Sequence, residues 1–308
     1  MLHQCTIAAP LHISGTGLHT GDTINMVLRP AKADSGIIFE HKEGKNTPTR
    51  IKACAKNVVD TRMATVIGKG NVRISTIEHL MAALVACHID NLVIQIDGPE
   101  VPIMDGSATP FIDKILSVGV TRLEQSRKLI SITKPIHLQE GDKRISIIPS
   151  RFFRISFELD FNHPCIKRQN RSVKMSTQSF YQEIASARTF GFHEEVEHLK
   201  ALGLAKGGSL ENAVVIGKDK ILNPEGLRFS DEFVRHKILD TVGDFSLLGH
   251  PILGHIKSHK GGHDMNHKMV EKILASPECW RFIEFNQEAI QEEMGLPVLQ
   301  PEVAMAEA

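Results

Sequence analysis

Ile7-Ala8-Ala9-Pro10-Leu11-His12-Ile13, close to the start of the chain, returns as Ile132-Thr133-Lys134-Pro135-Ile136-His137-Leu138. Each copy is followed by turn residues and short alternating or β-branched runs. Asp22 to Leu28, Gly36 to Phe39 and Thr65 to Gly68 follow the first, and Arg144 to Ile148 and Arg154 to Leu159 follow the second. Helical patterns come after the strands in both halves. Ile77, Leu80, Met81, Leu84 and Val85 recur at helical period behind Ser75-Thr76-Ile77-Glu78, which has the spacing of a capping box. Asn91 to Ile96 then reads as a strand and Thr109 to Val118 as a helix. In the second half, Ser230-Asp231-Glu232 caps a long helix through about Phe245, and Met265 to Ala275 is helical and ends before Pro277. The order strands, helix, strand, helix, given twice, predicts an α+β fold of two similar domains, each a sheet plus helices. They span 1-124 and 129-293. Gly119 to Lys128, polar and aperiodic, is the expected linker, and 294-308 a mobile tail.

The chain has 308 residues, 36 Lys+Arg and 36 Asp+Glu, so bulk charge attracts neither nucleic acid nor an anionic membrane. With 42% hydrophobic residues it can bury sizeable cores. No run of about 18 apolar residues occurs, and Met1 to Pro10 lacks the basic and apolar regions of a secretory signal. Five scattered cysteines without a CxxC pair point to a reducing, cytoplasmic setting. Sixteen histidines against one Trp and one Tyr raise a sharper question: which of them do chemistry.

Several motifs fail on inspection. Gly15 to Gly21 resembles a dinucleotide fingerprint, but Thr20 stands where the third glycine belongs, so it is read as a turn between strands. His255, His259, His263 and His267 make an i,i+4 ladder that Gly261-Gly262 interrupts. His193 to His198 misses the HExxH spacing by one residue and reads as a solvated helix face.

One constellation survives. On the Glu232 to Phe245 helix, Val234, Ile238, Leu239, Val242 and Phe245 share one side, while His236, Lys237, Asp240 and Asp244 share the other. His236 and Asp240, at i,i+4, let an imidazole and a carboxylate converge on one cation of the zinc or iron(II) type. Alone, an HxxxD is an exposed polar stripe with an ion pair. On the first helix, however, His79 lies opposite the apolar stripe beside Ala82, Ala83 and Ala86, small residues that admit a second helix. If the two helices meet across the domain interface, His79, His236 and Asp240 supply three ligands and leave a fourth position for water. Glu78 then takes a proton from that water, unless its carboxylate is spent on the capping box. His263, after two glycines, is the candidate general acid, its bland alternative being a surface loop histidine.

Gly15-Thr-Gly-Leu-His-Thr-Gly21, Ser75-Thr-Ile-Glu-His-Leu80, Pro102-Ile-Met-Asp-Gly-Ser107, Ala187-Arg-Thr-Phe190, His236-Lys-Ile-Leu-Asp240 and Gly262-His263 together resemble the UDP-3-O-acyl-N-acetylglucosamine deacetylases. The resemblance runs from about Ile7 to Ile290. It implies two α+β domains with the active site between them, and a cytoplasmic zinc amidase of Gram-negative lipid A biosynthesis that removes acetate from an acylated UDP-sugar. It also implies one catalytic Zn2+, or Fe2+ in the cell, held by His79, His236 and Asp240. Glu78 is then the general base and His263 the acid, with Asp244 supporting its imidazolium. Thr189 and Lys237 line the site, Thr189 donating to the oxyanion. Phe192 to Ile221 corresponds to the insertion that buries the acyl chain, with Phe190, Phe192, Leu202 and Val215 as substrate-binding candidates and Lys143 and Lys260 for the diphosphate. Met63-Ala64 stands where some relatives carry a cysteine near the metal.

These expectations describe a monomer acting on a small molecule, without nucleic acid or an integral membrane segment. Two other readings compete. A small-molecule kinase of similar shape would need a phosphate-cradling glycine loop, which is lacking, and a non-enzymatic histidine-rich module would bind several weak ions rather than one.

Overall fold

The computed structural model describes residues 3–42, 47–201 and 203–284. The chain begins with β1 (His3–Ile7), β2 (Leu11–Thr16), β3 (Thr23–Pro30), β4 (Ile37–His41), β5 (Thr49–Lys52), β6 (Val58–Asp60), β7 (Val66–Lys69), β8 (Val72–Ile74), α1 (Glu78–Ala86), β9 (Leu92–Ile96) and α2 (Thr109–Val118). It continues with β10 (Val120–Ser126), β11 (Lys128–Ile132), β12 (Ile136–Glu140), β13 (Lys143–Ile148), β14 (Phe153–Asp160), β15 (Arg168–Lys174), α3 (Thr177–Glu183), β16 (Phe190–Phe192), α4 (His193–Ala201) and β17 (Val214–Ile216). Last come α5 (Glu232–Phe245), β18 (Ile252–His259), α6 (His263–Leu274) and β19 (Trp280–Glu284).

The sequence echo is a topological repeat. The first sheet has the order β2-β3-β9-β4-β5, antiparallel except where β4 runs parallel to β9. The second sheet pairs β12-β13-β18-β14-β15 in the same senses, β14 running parallel to β18. β11 and β19 extend it from the start of β18. In each half a long helix precedes the central strand and another follows it: α1 and α2 around β9, α5 and α6 around β18. The echoed segments fall in register with this repeat, since β1 ends at Ile7 and β2 starts at Leu11, while β11 ends at Ile132 and β12 starts at Ile136. The fold is α+β.

Alternation explains the strands. In β14, Ile155, Phe157 and Leu159 are buried and their neighbours are not, and β2, β3 and β13 alternate likewise. The buried side chains join one continuous cluster that takes in Met26 and Ile94 of the first sheet, Leu80 of α1, Ile238 of α5, and Ile147 and Ile256 of the second sheet. Removing that apolar surface from water is the main force holding the two sheets and their helices together.

Two local expectations are corrected. Gly119 to Lys128 is not a loose linker: β10 pairs antiparallel with β1, with Ile7 opposite Val120. Its side chains are mostly exposed because it belongs to a two-stranded ribbon, so a hydrogen-bonded strand shows no burial signal in the sequence. At the start of α5, Asp231 occupies the N-cap position without capping, its carboxylate binding Arg235 at 2.6 Å and Arg171 at 3.0 Å instead. The histidine ladder divides between elements, His255 and His259 on β18 and His263 and His267 on α6. Residues 294–308 lie outside the described part of the chain.

Candidate metal centre

The site begins with how closely two helices approach. α1 packs on α5, and a side chain at Gly243 would place its Cβ 2.1 Å from the Glu78 carbonyl oxygen. Only glycine permits that contact. The small residues Ala82, Ala83 and Ala86 of α1 are buried as well, so the face opposite the apolar stripe is covered by protein.

This approach brings His79 to the α5 pair. Nε2 of His236 lies 3.3 Å and Nε2 of His79 3.6 Å from Oδ1 of Asp240, and one ligand atom from each residue lies within 4.8 Å of the others. All three are at most 3% exposed. His236 donates from Nδ1 to the Ala187 carbonyl oxygen at 3.0 Å, which fixes the tautomer and leaves the Nε2 lone pair facing Asp240. Burial pushes the His236 pKa down to about 3, so the ring is neutral. For Asp240, burial opposes ionisation, but His236, Lys237 and His263 hold its carboxyl well below the usual range. Yet Asp240 Oδ1, buried, has no hydrogen-bond partner. A buried carboxylate oxygen left unsatisfied between two imidazole nitrogens is costly without a cation, and two neutral nitrogens with one anionic oxygen suit a divalent ion. The residues present fit a metal.

Above this group sits a cluster of titratable side chains. Glu78 is buried, and burial raises its pKa despite the nearby His263 and His79. The expected capping box is not formed. α1 has Ile77 at its N-cap with no side-chain cap; Ser75 bridges to Glu100, and the Thr76 hydroxyl donates to the Glu100 carboxylate at 3.0 Å. Thr76 has φ +58°, which turns the chain away from a capping geometry. The Glu78 carboxylate instead accepts from the Thr65 backbone N–H at 3.0 Å and stays beside the metal group. His263, the first residue of α6, donates from Nδ1 to Asp244 Oδ2 at 3.0 Å, and its Nε2 points between Asp240 at 3.8 Å and Glu78 at 3.9 Å. Burial works against its charged form, but Asp244, Asp240 and Glu78 outweigh it and raise the pKa to about 9. Lys237 donates to Asp240 Oδ2 at 2.9 Å and stays protonated although burial disfavours its charge.

The structure therefore gathers seven sequence-predicted residues in one place: Glu78, His79, His236, Lys237, Asp240, Asp244 and His263. Thr189 lies between Ala187, whose carbonyl holds His236, and Phe190, whose ring meets the His236 ring edge-on at 6.2 Å. Its own backbone bonds Gly106 and Val214. β16 and β17, joined through α4, form a parallel pair that carries Phe192 and Val215, and the Phe192 ring packs on Phe161 and His163. Leu202 is outside the described residues. Lys143 and Lys260 flank the Arg144–His259 pair at one end of strands β13 and β18, where Lys260 already binds Asp142 and Asp160.

Two further residues had not been singled out. Thr65 donates its hydroxyl to Asp244 Oδ1 at 2.5 Å, and Asn266 donates to Asp244 Oδ2 at 2.8 Å. Asn266 stands three positions after His263 on one helical face, a spacing that would have pointed to it. Nothing in the sequence around Thr65 marks it, because its role depends on a contact across 179 positions.

A model of the UDP-3-O-acyl N-acetylglycosamine deacetylase family matches residues 4–275. The chain belongs to that family. It is 61% identical over 289 residues to the UDP-3-O-acyl-N-acetylglucosamine deacetylase of Syntrophotalea carbinolica, covering 94% of this chain and 93% of the other. It is 52% identical to that of a Geobacter species over the full length of both, and 48% identical to that of Myxococcus xanthus over 96% of this chain and 93% of the other. Membership in this deacetylase family displaces the kinase and binding-module readings. Among the described residues no helix is long and apolar enough to cross a membrane.

Proposed function

We propose that the chain hydrolyses the acetamide of a UDP-3-O-acyl-N-acetylglucosamine, the step of lipid A biosynthesis that frees the glucosamine nitrogen, at one divalent ion held by His79, His236 and Asp240. The observation that carries the site assignment is the buried, unsatisfied Asp240 oxygen between two imidazole nitrogens. Zinc is the proposed ion, with iron(II) compatible with the same donors. When bound, it supplies Lewis acidity to the attacking water and the amide carbonyl.

The chain's own residues do the rest. Glu78, its pKa raised by burial, takes the proton of the attacking water on its carboxylate. His263 enters the reaction protonated and gives a proton from Nε2 to the departing nitrogen, while Asp244 holds Nδ1 and keeps the ring aimed. Thr189 donates to the carbonyl oxygen as negative charge develops there, and the Lys237 ammonium adds to the same field. Phe190, Phe192 and Val215 take the acyl chain, together with Leu202, and Lys143 and Lys260 face the diphosphate. Both halves of the ligand set come from one chain, which supports a monomer, and a nucleotide-sugar substrate supports a cytoplasmic setting. The test is acetate release from the acylated sugar nucleotide with and without a chelator. Activity lost on chelation and restored by added zinc supports the assignment, and turnover indifferent to chelation rejects it.

A further inference from the structure

A cavity of about 440 Å³ lies between the two sheets and contains none of the metal-group residues. Its walls come from Met81 and Leu84 of α1, Val242 and Phe245 of α5, Phe180 of α3 and Ile252 of β18. Phe190, Phe192 and Val215 do not line it, so it is separate from the insertion assigned to the substrate's acyl chain. A concave, apolar space of this size is what small-molecule sites present.

The polar groups on its wall are satisfied among themselves. Arg127 pairs with Asp90 at 2.7 Å and meets His88 Nδ1 at 3.0 Å, while the Thr177 hydroxyl donates to the Ala86 carbonyl at 2.9 Å. Lys52 is the exception. Its side chain folds over Gly36, where an added Cβ would lie 2.9 Å from Lys52 Cε, and both residues line the cavity. Among the described residues the Lys52 ammonium has no carboxylate partner. The cavity thus offers an aliphatic interior and a single uncommitted positive charge.

We infer that this cavity binds a medium-chain fatty-acid anion, its alkyl chain between α1 and α5 and its carboxylate at Lys52. A phosphate headgroup would call for several converging donors, whereas one ammonium matches one carboxylate. Because the walls belong to both sheets and to the two helices that carry the metal group, the bound anion stabilises their packed arrangement by mass action.

The test is calorimetric titration of the metal-loaded full chain with decanoate below its micellar concentration, and with decanol as the uncharged comparison. One equivalent of decanoate is expected to bind, about ten-fold more weakly in Lys52→Glu, undetectably in Val85→Phe, which fills the cavity, and unchanged in Phe192→Ala. Decanol should bind far more weakly than decanoate. The inference is overturned if decanoate does not bind, if Phe192→Ala abolishes binding while Val85→Phe and Lys52→Glu retain it, or if decanol binds equally well. Lys52→Glu changes an exposed side chain, so its result stands even if Val85→Phe disturbs the fold.

Discussion

Glu78 and Thr65, whose backbone N–H donates to the Glu78 carboxylate, are assigned different work in the proposed mechanism. Glu78 touches no ligand nitrogen through a hydrogen bond, so Glu78→Gln should keep its metal while kcat falls by roughly 10²–10⁴, as expected for loss of a general base. Metal analysis beside steady-state kinetics checks this, and parallel loss of metal and turnover would move Glu78 into the ligand set. Thr65 acts through others. Its hydroxyl holds Asp244, which holds His263, so Thr65→Val should cost about 1–2 kcal/mol of stability and lower kcat about ten-fold with little change in KM, while Thr65→Ser restores both. His88 gives a pH dependence. Burial, with Arg127 nearby, lowers its pKa to about 4 from 6.5. The unfolded chain therefore takes up a proton between these values that the folded chain refuses. Stability contributed by neutral His88 is full above pH 6.5 and declines as pH falls towards 4, by up to about 1.4 kcal/mol per pH unit. Denaturant melts across this range should show a shallower slope in His88→Asn, a residue that accepts the φ of +58° at this position.

Among the elements, α1 and α5 decide whether there is a site at all. Gly243→Ala would drive a methyl group into the Glu78 carbonyl, so the helices must separate. Overpacking of this kind costs about 1–3 kcal/mol, a fall in melting temperature of roughly 2–5 °C for a chain of this length, and metal affinity should drop with it although no ligand is changed. A melting curve and metal titration read both effects. This element scale is also where the sequence was most informative and then ran out. Periodicity gave α1, α2, α5 and α6, and the small residues opposite the α1 stripe announced a helix partner. The i,i+4 spacing of His236 and Asp240 pointed to a candidate cation site. Gly243 carried no such signal, since a glycine within a helical pattern reads as a weak point until its neighbour is known. The capping motif at Ser75 misled because Glu100, distant in sequence, competes for Thr76, and β10 was missed because a half-exposed ribbon strand has the composition of a linker.

For the whole molecule, the repeated strand order means that two like sheets, each with its helices, meet along one helix pair, and the proposed ligand set draws on both sides of that contact. The echo of Ile7 to Ile13 at Ile132 to Leu138 made this repeat legible, because the strand breaks recur at the same offset. A metal bound at the contact would then be a fastening as well as a reagent. Saturating ion should stabilise the fold by roughly 3–4 kcal/mol, seen as a melting temperature lowered by about 5 °C on chelation. The most direct test is metal content by mass spectrometry after exhaustive dialysis, for the wild type and for His79→Ala, His236→Ala, Asp240→Ala and Glu78→Gln. One equivalent of divalent ion in the wild type and in Glu78→Gln, with almost none in the other variants, is the expected result. Retention of a full equivalent in His79→Ala would contradict it, because the ion would then be held by α5 alone and the meeting of the two helices would have no part in binding it.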